Sequence, residues 1–369
     1  MNSRRQIPSE KTDMSHSPRR DAFRVAVIAE DLRLPLDEGA KKASFSLICS
    51  FKRKGMGPSV FTWYANPALE NTFPLPSNKF LVGRSFAHDL KTQAPEAILY
   101  MPASSGTIGA FIRAAAIKAQ ASGVPLALLN LQYRRLPSIG RYLNLPRYAD
   151  LVFAQSQASA DVFRSLGCKT VLLPGGVDHT IFRPASKQEK HSLRLKYGFQ
   201  DADQIVLHIG HCNRDRNVAL LARLAESGLK TILVASTSTS LDYDLLGELR
   251  QSGVTVITDF IETIQEFYQL SDCYLFPVFN ATSAIDAPLS ILEAMACNLP
   301  IVTTRFGALP NVFQPGNGLY YGETEEEMIC MVKQALTEQD CGTREKVVPY
   351  SWDNAALTIL DALQEISKP

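Results

Sequence analysis

The sequence predicts an α/β protein built from two doubly wound, mostly parallel-sheet domains in tandem. Three observations lead there. The chain has 369 residues, which at roughly 100 to 200 residues per domain divides into two domains and so creates a cleft. Short apolar bursts rich in β-branched residues alternate with helical stretches, the rhythm of a sheet covered on both faces. That series restarts after one junction dense in glycine and proline.

In the first half the bursts at 25–29, 59–63, 97–100, 126–129 and 151–154 read as strands. A helical pattern follows Pro35, Asp37 and Gly39, and another covers 107–121. The junction is the stretch 171–184, Val-Leu-Leu-Pro-Gly-Gly-Val-Asp-His-Thr-Ile-Phe-Arg-Pro, where a chain turns sharply and leaves a domain. Strands are expected again at 205–209, 231–235, 254–257, 273–276 and 300–303. The expected organisation is a disordered tail over 1–21, an N-terminal domain over 22–184, a C-terminal domain over 185–348, and a terminal helix within 349–369 that packs back on the N-terminal domain.

Composition narrows the function. Hydrophobic residues at 46% and charged residues at 20% are ordinary globular usage. A net charge of +1 argues against duplex nucleic acid as a partner, because many phosphate contacts need a concentrated basic excess. The 7 cysteines are scattered and never form a Cys-x-x-Cys pair, which fits a reducing compartment without structural zinc. No stretch approaches the ~20 apolar residues of a membrane span, and the polar start carries Arg4, Arg5, Arg19 and Arg20 without the apolar core of a secretory signal. A cytoplasmic address is the expectation.

In parallel sheets of this kind ligands sit off the carboxyl ends of strands, so the loops after Ala29, Ile209, Ala235, Ile257 and Phe276 are where chemistry belongs. The stretch 276–300 is the most informative. It reads as strand, loop, short helix and strand, and a helix beginning near Leu289 aims free N–H groups and a positive dipole end into the cleft, a seat for pyrophosphate. Glu293, one turn inside, can accept hydrogen bonds from a ribose diol. A buried carboxylate needs such partners.

Leu292-Glu-Ala-Met-Ala-Cys297 followed by Pro300-Ile-Val302 resembles the donor-binding motif of retaining GT-B glycosyltransferases, especially family four. Supporting segments stand in family order: Asp37-Glu38-Gly39, Leu173-Pro-Gly-Gly-Val-Asp178 before Phe182-Arg-Pro184, Ile209-Gly-His211, and Tyr350-Ser-Trp352. The resemblance implies two Rossmann-like domains facing a cleft. It also implies transfer of a sugar from a UDP- or GDP-sugar to a hydroxyl of a glycan, lipid-linked or small-molecule acceptor, with retention and without an obligatory metal or cofactor.

Site residues follow from the same resemblance. The family motif opens with a glutamate eight residues before the second; here that position is Ile285, and the nearest carboxylate is Asp286, which either takes over the sugar contact or caps the helix. Pro288 removes an N–H, leaving Leu289 and Ser290 as phosphate donors. Gly210 permits close approach, His211 is a cleft hydrogen-bonder, and Arg214 and Arg216 supply forked donors to phosphate, with Arg216 the better match to the usual lysine. The base is expected at Asp259, Phe260 and Ile261, and Gly39 should let the first domain touch the transferred sugar or phosphate. Asn130 and Gln132 stand where many relatives carry a histidine, and with Arg134 and Arg135 they form the acceptor side.

The segment 133–148 interleaves four arginines with tyrosines and leucines. It suits a surface that docks on anionic lipid at the inner membrane face, and equally a loop with a solvated basic face. Asp242-Tyr-Asp244 has the spacing of a metal pair but opens a helical stretch, where aspartates cap. A nucleotide-sugar epimerase or hydrolase of the same fold, and a non-catalytic binding subunit, are the alternatives. A dinucleotide or P-loop enzyme is disfavoured, since neither glycine motif is present.

Overall fold

A computed structural model describes residues 23–132, 145–236, 238, 241–338 and 341–368. The expected tail over 1–21, Arg134, Arg135 and most of 133–148 lie outside the described residues.

Two all-parallel sheets form the frame. The first contains β1 (Val25–Ala29), β2 (Ser59–Thr62), β3 (Thr72–Pro74), β4 (Ala97–Met101), β5 (Leu126–Asn130), β6 (Leu151–Ala154) and β7 (Thr170–Leu172), in the order β3-β2-β1-β4-β5-β6-β7. The second contains β8 (Ile205–Gly210), β9 (Lys230–Ala235), β10 (Thr255–Ile257), β11 (Cys273–Phe276), β12 (Ile301–Thr303) and β13 (Leu319–Tyr321), in the order β10-β9-β8-β11-β12-β13. Strand order reverses between β1 and β4 and again between β8 and β11. Those are the two switch points, and a ligand crevice opens outside the carboxyl ends there.

The strands form where both faces can be apolar: β1, β4 and β5 are buried at every residue, reading VAVIA, AILYM and LALLN. Register places Val27 between Val60 of β2 and Leu99 of β4. β3, β7 and β13 are additions to the sequence reading. Each has three residues at a sheet edge, too short to carry a periodic signal.

Helix Gly39–Arg53 presents Ala40, Ala43, Leu47, Ile48 and Phe51 to the core at helical spacing. Helix Leu289–Ala296 is buried at every residue except Ser290, as befits an element wedged between its sheet and the neighbouring domain. The C-terminal helix Trp352–Ile366 crosses back to pack on Gly39–Arg53. Arg53 pairs with Asp353 at 2.8 Å, and Ser367 Oγ donates to the Glu96 carbonyl at 3.0 Å.

This crossing depends on Gly176, where an added Cβ would lie 2.6 Å from the Trp352 nitrogen, whereas one at Gly57 would meet nothing within 4 Å. Gly176→Ala should therefore destabilise the protein by about 1–3 kcal/mol, the usual cost of overpacking. Gly57→Ala should leave the urea midpoint nearly unchanged. Equal midpoints for the two variants would refute the contact.

Candidate donor site between the domains

The loops after β1, β4, β5, β8, β9, β10 and β11, with the start of helix Leu289–Ala296, enclose a cavity of about 250 Å³ between the domains. It gathers most of the residues singled out from the sequence: Gly39 and Gln132 from the first domain; Gly210, His211 and Arg216; Asp259, Phe260 and Ile261; Leu289, Ser290 and Glu293.

Glu293 is only 6% exposed. Its Oε2 accepts from the Tyr268 hydroxyl at 2.9 Å, and its Oε1 accepts a short hydrogen bond from Lys42 Nζ. Lys42 belongs to the first domain, so the ion pair spans the cleft and offsets the burial of the carboxylate. Burial, reinforced by the neighbouring Glu293 charge, pushes the Tyr268 phenol up, so it donates throughout the ordinary pH range. Lys42 was not anticipated. Its signal is its place one turn after Gly39, on the helix face that looks into the cleft.

Arg216 ends a short 3-10 turn, Arg214–Arg216, started by Asn213, whose Oδ1 accepts from the Arg216 N–H at 3.1 Å. The residue is 7% exposed. Among the described residues its side chain has no ion-pair partner, and its Nε makes no hydrogen bond. Burial pulls its pKa down to about 10. Gly210 makes room for it, since a Cβ there would sit 3.4 Å from Nη1 and 3.2 Å from His208 Nε2. A buried guanidinium without an anion is costly. The start of helix Leu289–Ala296 supplies the same electropositive character to the same cavity.

Both histidines near this cation are held neutral. His211, in the cavity, and His208, whose Nδ1 donates to the Leu275 carbonyl at 2.8 Å, are pushed down to about 4, chiefly by burial and further by Arg216. Their folded pKa values lie below the ordinary 6.5. Between those two values the unfolded chain binds more protons, so stability present above about 6.5 is lost as pH falls towards about 4. The urea midpoint should accordingly drop from pH 7.5 to pH 5, and His211→Asn should flatten the drop. An unchanged slope in that variant would show that His211 does not titrate in this window.

Three expected residues stand elsewhere. Arg214 lies on the outer surface, its side chain 61% exposed and paired with Glu248 at 2.9 Å and Asp242 at 3.7 Å. At three residues per turn, positions i and i+2 of a 3-10 turn cannot share a face, so only one arginine of Arg-Asp-Arg enters the cavity. Asn130 is buried behind the cavity wall and donates to the Gln132 carbonyl at 3.2 Å, shaping the turn after β5. Gln132 itself lines the cavity and donates to the Thr282 carbonyl at 2.6 Å.

Asp286 neither lines the cavity nor caps the helix that follows it, whose N-cap is Pro288. Its Oδ2 accepts from Ser156 Oγ and from Ser159 Oγ, the latter at 2.6 Å, at the start of the first-domain helix Gln157–Ser165. The backbone dictates this direction. The Asp286 N–H donates to the Leu131 carbonyl at 2.7 Å and the Ala287 N–H to Gln155 Oε1 at 3.1 Å, which turns Ile285 into the cavity and Asp286 away from it. Asp242, by contrast, caps helix Tyr243–Gln251, accepting from the Leu245 N–H at 3.0 Å.

The family model described as Glycosyl transferases group 1 matches residues 204–338, most of the second domain. An uncharacterized glycosyltransferase of Methanocaldococcus jannaschii is 27% identical over 190 residues, 46% of this chain and 47% of that protein. The GDP-mannose-dependent alpha-(1-6)-phosphatidylinositol dimannoside mannosyltransferase of Mycobacterium tuberculosis is 25% identical over 245 residues, 59% of this chain and 61% of its own. The chain thus spans about half to three-fifths of the length of these curated relatives. Among solved structures, HepE of Anabaena in complex with UDP has a TM-score of 0.72 at 17% identity, covering 93% of this chain and 100% of that one. Sucrose-phosphate synthase of Thermosynechococcus elongatus has a TM-score of 0.71 at 15% identity, covering 93% and 99%. Two parallel sheets facing one cleft are the GT-B fold that these structures share with it, and residues 204–338 match the group 1 glycosyl transferases.

Proposed function

We propose that the protein transfers a sugar from a nucleoside diphosphate to a hydroxyl acceptor, with retention and without an obligatory metal. The observation that carries this reading is Arg216, a buried cation with no ion-pair partner among the described residues, facing a cavity that also holds a helix start and Glu293. A diphosphate answers that arrangement. Its oxygens accept from Arg216 and from the N–H groups of Leu289 and Ser290, the adjoining ribose donates to Glu293, and the base lies along Asp259, Phe260 and Ile261. Relatives and neighbours named for GDP-mannose and for UDP fit a donor of this class.

In the retaining reaction the acceptor oxygen bonds to the anomeric carbon on the face from which the phosphate departs, and a departing phosphate oxygen takes the acceptor proton. No side-chain base is then required, and catalysis rests on positioning and on charge stabilisation at the leaving oxygen. A glycan or lipid-linked acceptor would enter from the side of Gln132, and anionic-membrane contact through 133–148 belongs to the same reading.

The test is thermal unfolding of the pure protein against UDP, GDP and their sugars. A ligand at 100 times its Kd stabilises by about 2.7 kcal/mol. No shift with any of them would end the proposal. A non-catalytic binding subunit is the second reading, favoured by the Asp286 and Ala287 N–H groups being taken by first-domain acceptors and by Pro288 having none. Transfer to any acceptor excludes it.

A further inference from the structure

Resting on the donor reading above, the cavity wall beside the helix start carries information about the sugar itself. Segment 283–285 lines the cavity immediately before the helix that starts at Leu289. A sugar attached to a diphosphate seated on that helix start and on Arg216 must therefore pass this wall. Of its three lining residues, Ser283, Ala284 and Ile285, the last carries the largest apolar side chain, packed so tightly against the first domain that a Cβ on Gly39 would lie 3.1 Å from Cδ1.

The neighbouring carboxylate is not available to replace it. Asp286 is held outward by Ser156 and Ser159, while the backbone on either side is tied to the first domain through Leu131 and Gln155. Leu36, Ala40, Ala103 and Leu131 continue the apolar lining from the first domain. A sugar hydroxyl pressed against Ile285 finds neither donor nor acceptor in that side chain, and an unmade hydrogen bond on a desolvated group is expensive. A methyl or methylene in the same place gains apolar contact.

We infer that Ile285 selects a deoxy-sugar donor, one that turns a deoxygenated carbon, such as the methyl of a 6-deoxyhexose, towards the Ile285 side chain. Other hydroxyls of the same sugar retain polar neighbours in the cavity, among them Glu38, His211 and Ser283.

Titration calorimetry on the full chain tests this with UDP-glucose and GDP-mannose, each beside its 3-, 4- and 6-deoxy analogues, and with free UDP and GDP as references. For the nucleotide that binds, at least one deoxy analogue should bind roughly 10- to 100-fold more tightly than the parent. Ile285→Gln, which offers both a donor and an acceptor, should shrink or reverse that ratio while leaving the affinity for the free nucleotide within about twofold, since the diphosphate contacts are unaltered. The inference is overturned if the parent sugar binds as tightly as every deoxy analogue, or if Ile285→Gln leaves the ratio unchanged. Failure of both free nucleotides to bind would instead remove the donor reading, and this inference with it.

Discussion

Replacing Arg216 with methionine should abolish the thermal shift produced by UDP or GDP while the ligand-free protein unfolds at the same or a higher temperature. The two halves of this result have one cause. The guanidinium is buried with an unpaired Nε and no ion-pair partner among the described residues, and burial alone already pulls its pKa down to about 10. A side chain of similar reach without charge relieves that cost, because apolar replacement of a buried charge is neutral to stabilising. The same change removes charge-assisted hydrogen bonds of about 1.5–3 kcal/mol each, so the loss of one or two should weaken diphosphate binding by roughly 10-fold to more than 1,000-fold. Arg214→Met, on the outer surface, should change neither measurement appreciably. A buried arginine serving only the fold would reverse the pattern, with lower stability and an intact ligand shift.

Glu293→Gln is expected to behave differently. The nucleotide shift should again collapse, but here stability should fall too, since the carboxylate accepts from both Tyr268 and Lys42. Removing one partner of a pair this deep leaves the other charge stranded; with Lys42 partly exposed, a loss of about 1–3 kcal/mol is reasonable. Adding Lys42→Met to Glu293→Gln should recover part of it, because the stranded cation is gone, and a double-mutant cycle measures the coupling. Ribose contact has its own signature. Wild-type protein should prefer UDP or GDP to the corresponding 2′-deoxynucleotide, and Glu293→Gln should bind the two alike. A variant that still discriminates would place the ribose elsewhere.

Much of this site was legible from the chain. Glu293, Leu289 and Ser290 stand in a strand-loop-helix-strand stretch whose apolar runs at 273–276 and 300–303 announce themselves, and the helix start must face the cleft at a sheet switch point. Gly39, Gly210 and Asp259–Ile261 follow strand ends in the same way. Less visible were the residues whose direction depends on phase within irregular backbone. Family resemblance already favoured Arg216 over Arg214, but that Arg214 leaves the cavity altogether is set by a three-residue turn that sends one outward and the other inward. Asp286 and Ile285 exchange places for a similar reason, set by acceptors at Leu131 and Gln155 that belong to the other domain.

By itself, then, the sequence determined the two parallel-sheet domains, the cleft between them and the helix that opens into it, because continuous apolar runs and glycine-rich turns are local properties. Tertiary structure alone decided that Lys42 meets Glu293 across 251 positions, that Asp286 turns to Ser156 across 130, and that Arg216 has no ion-pair partner among the described residues. Such pairings depend on where two separately folded units come to rest against each other, and no periodicity along one strand or helix records that.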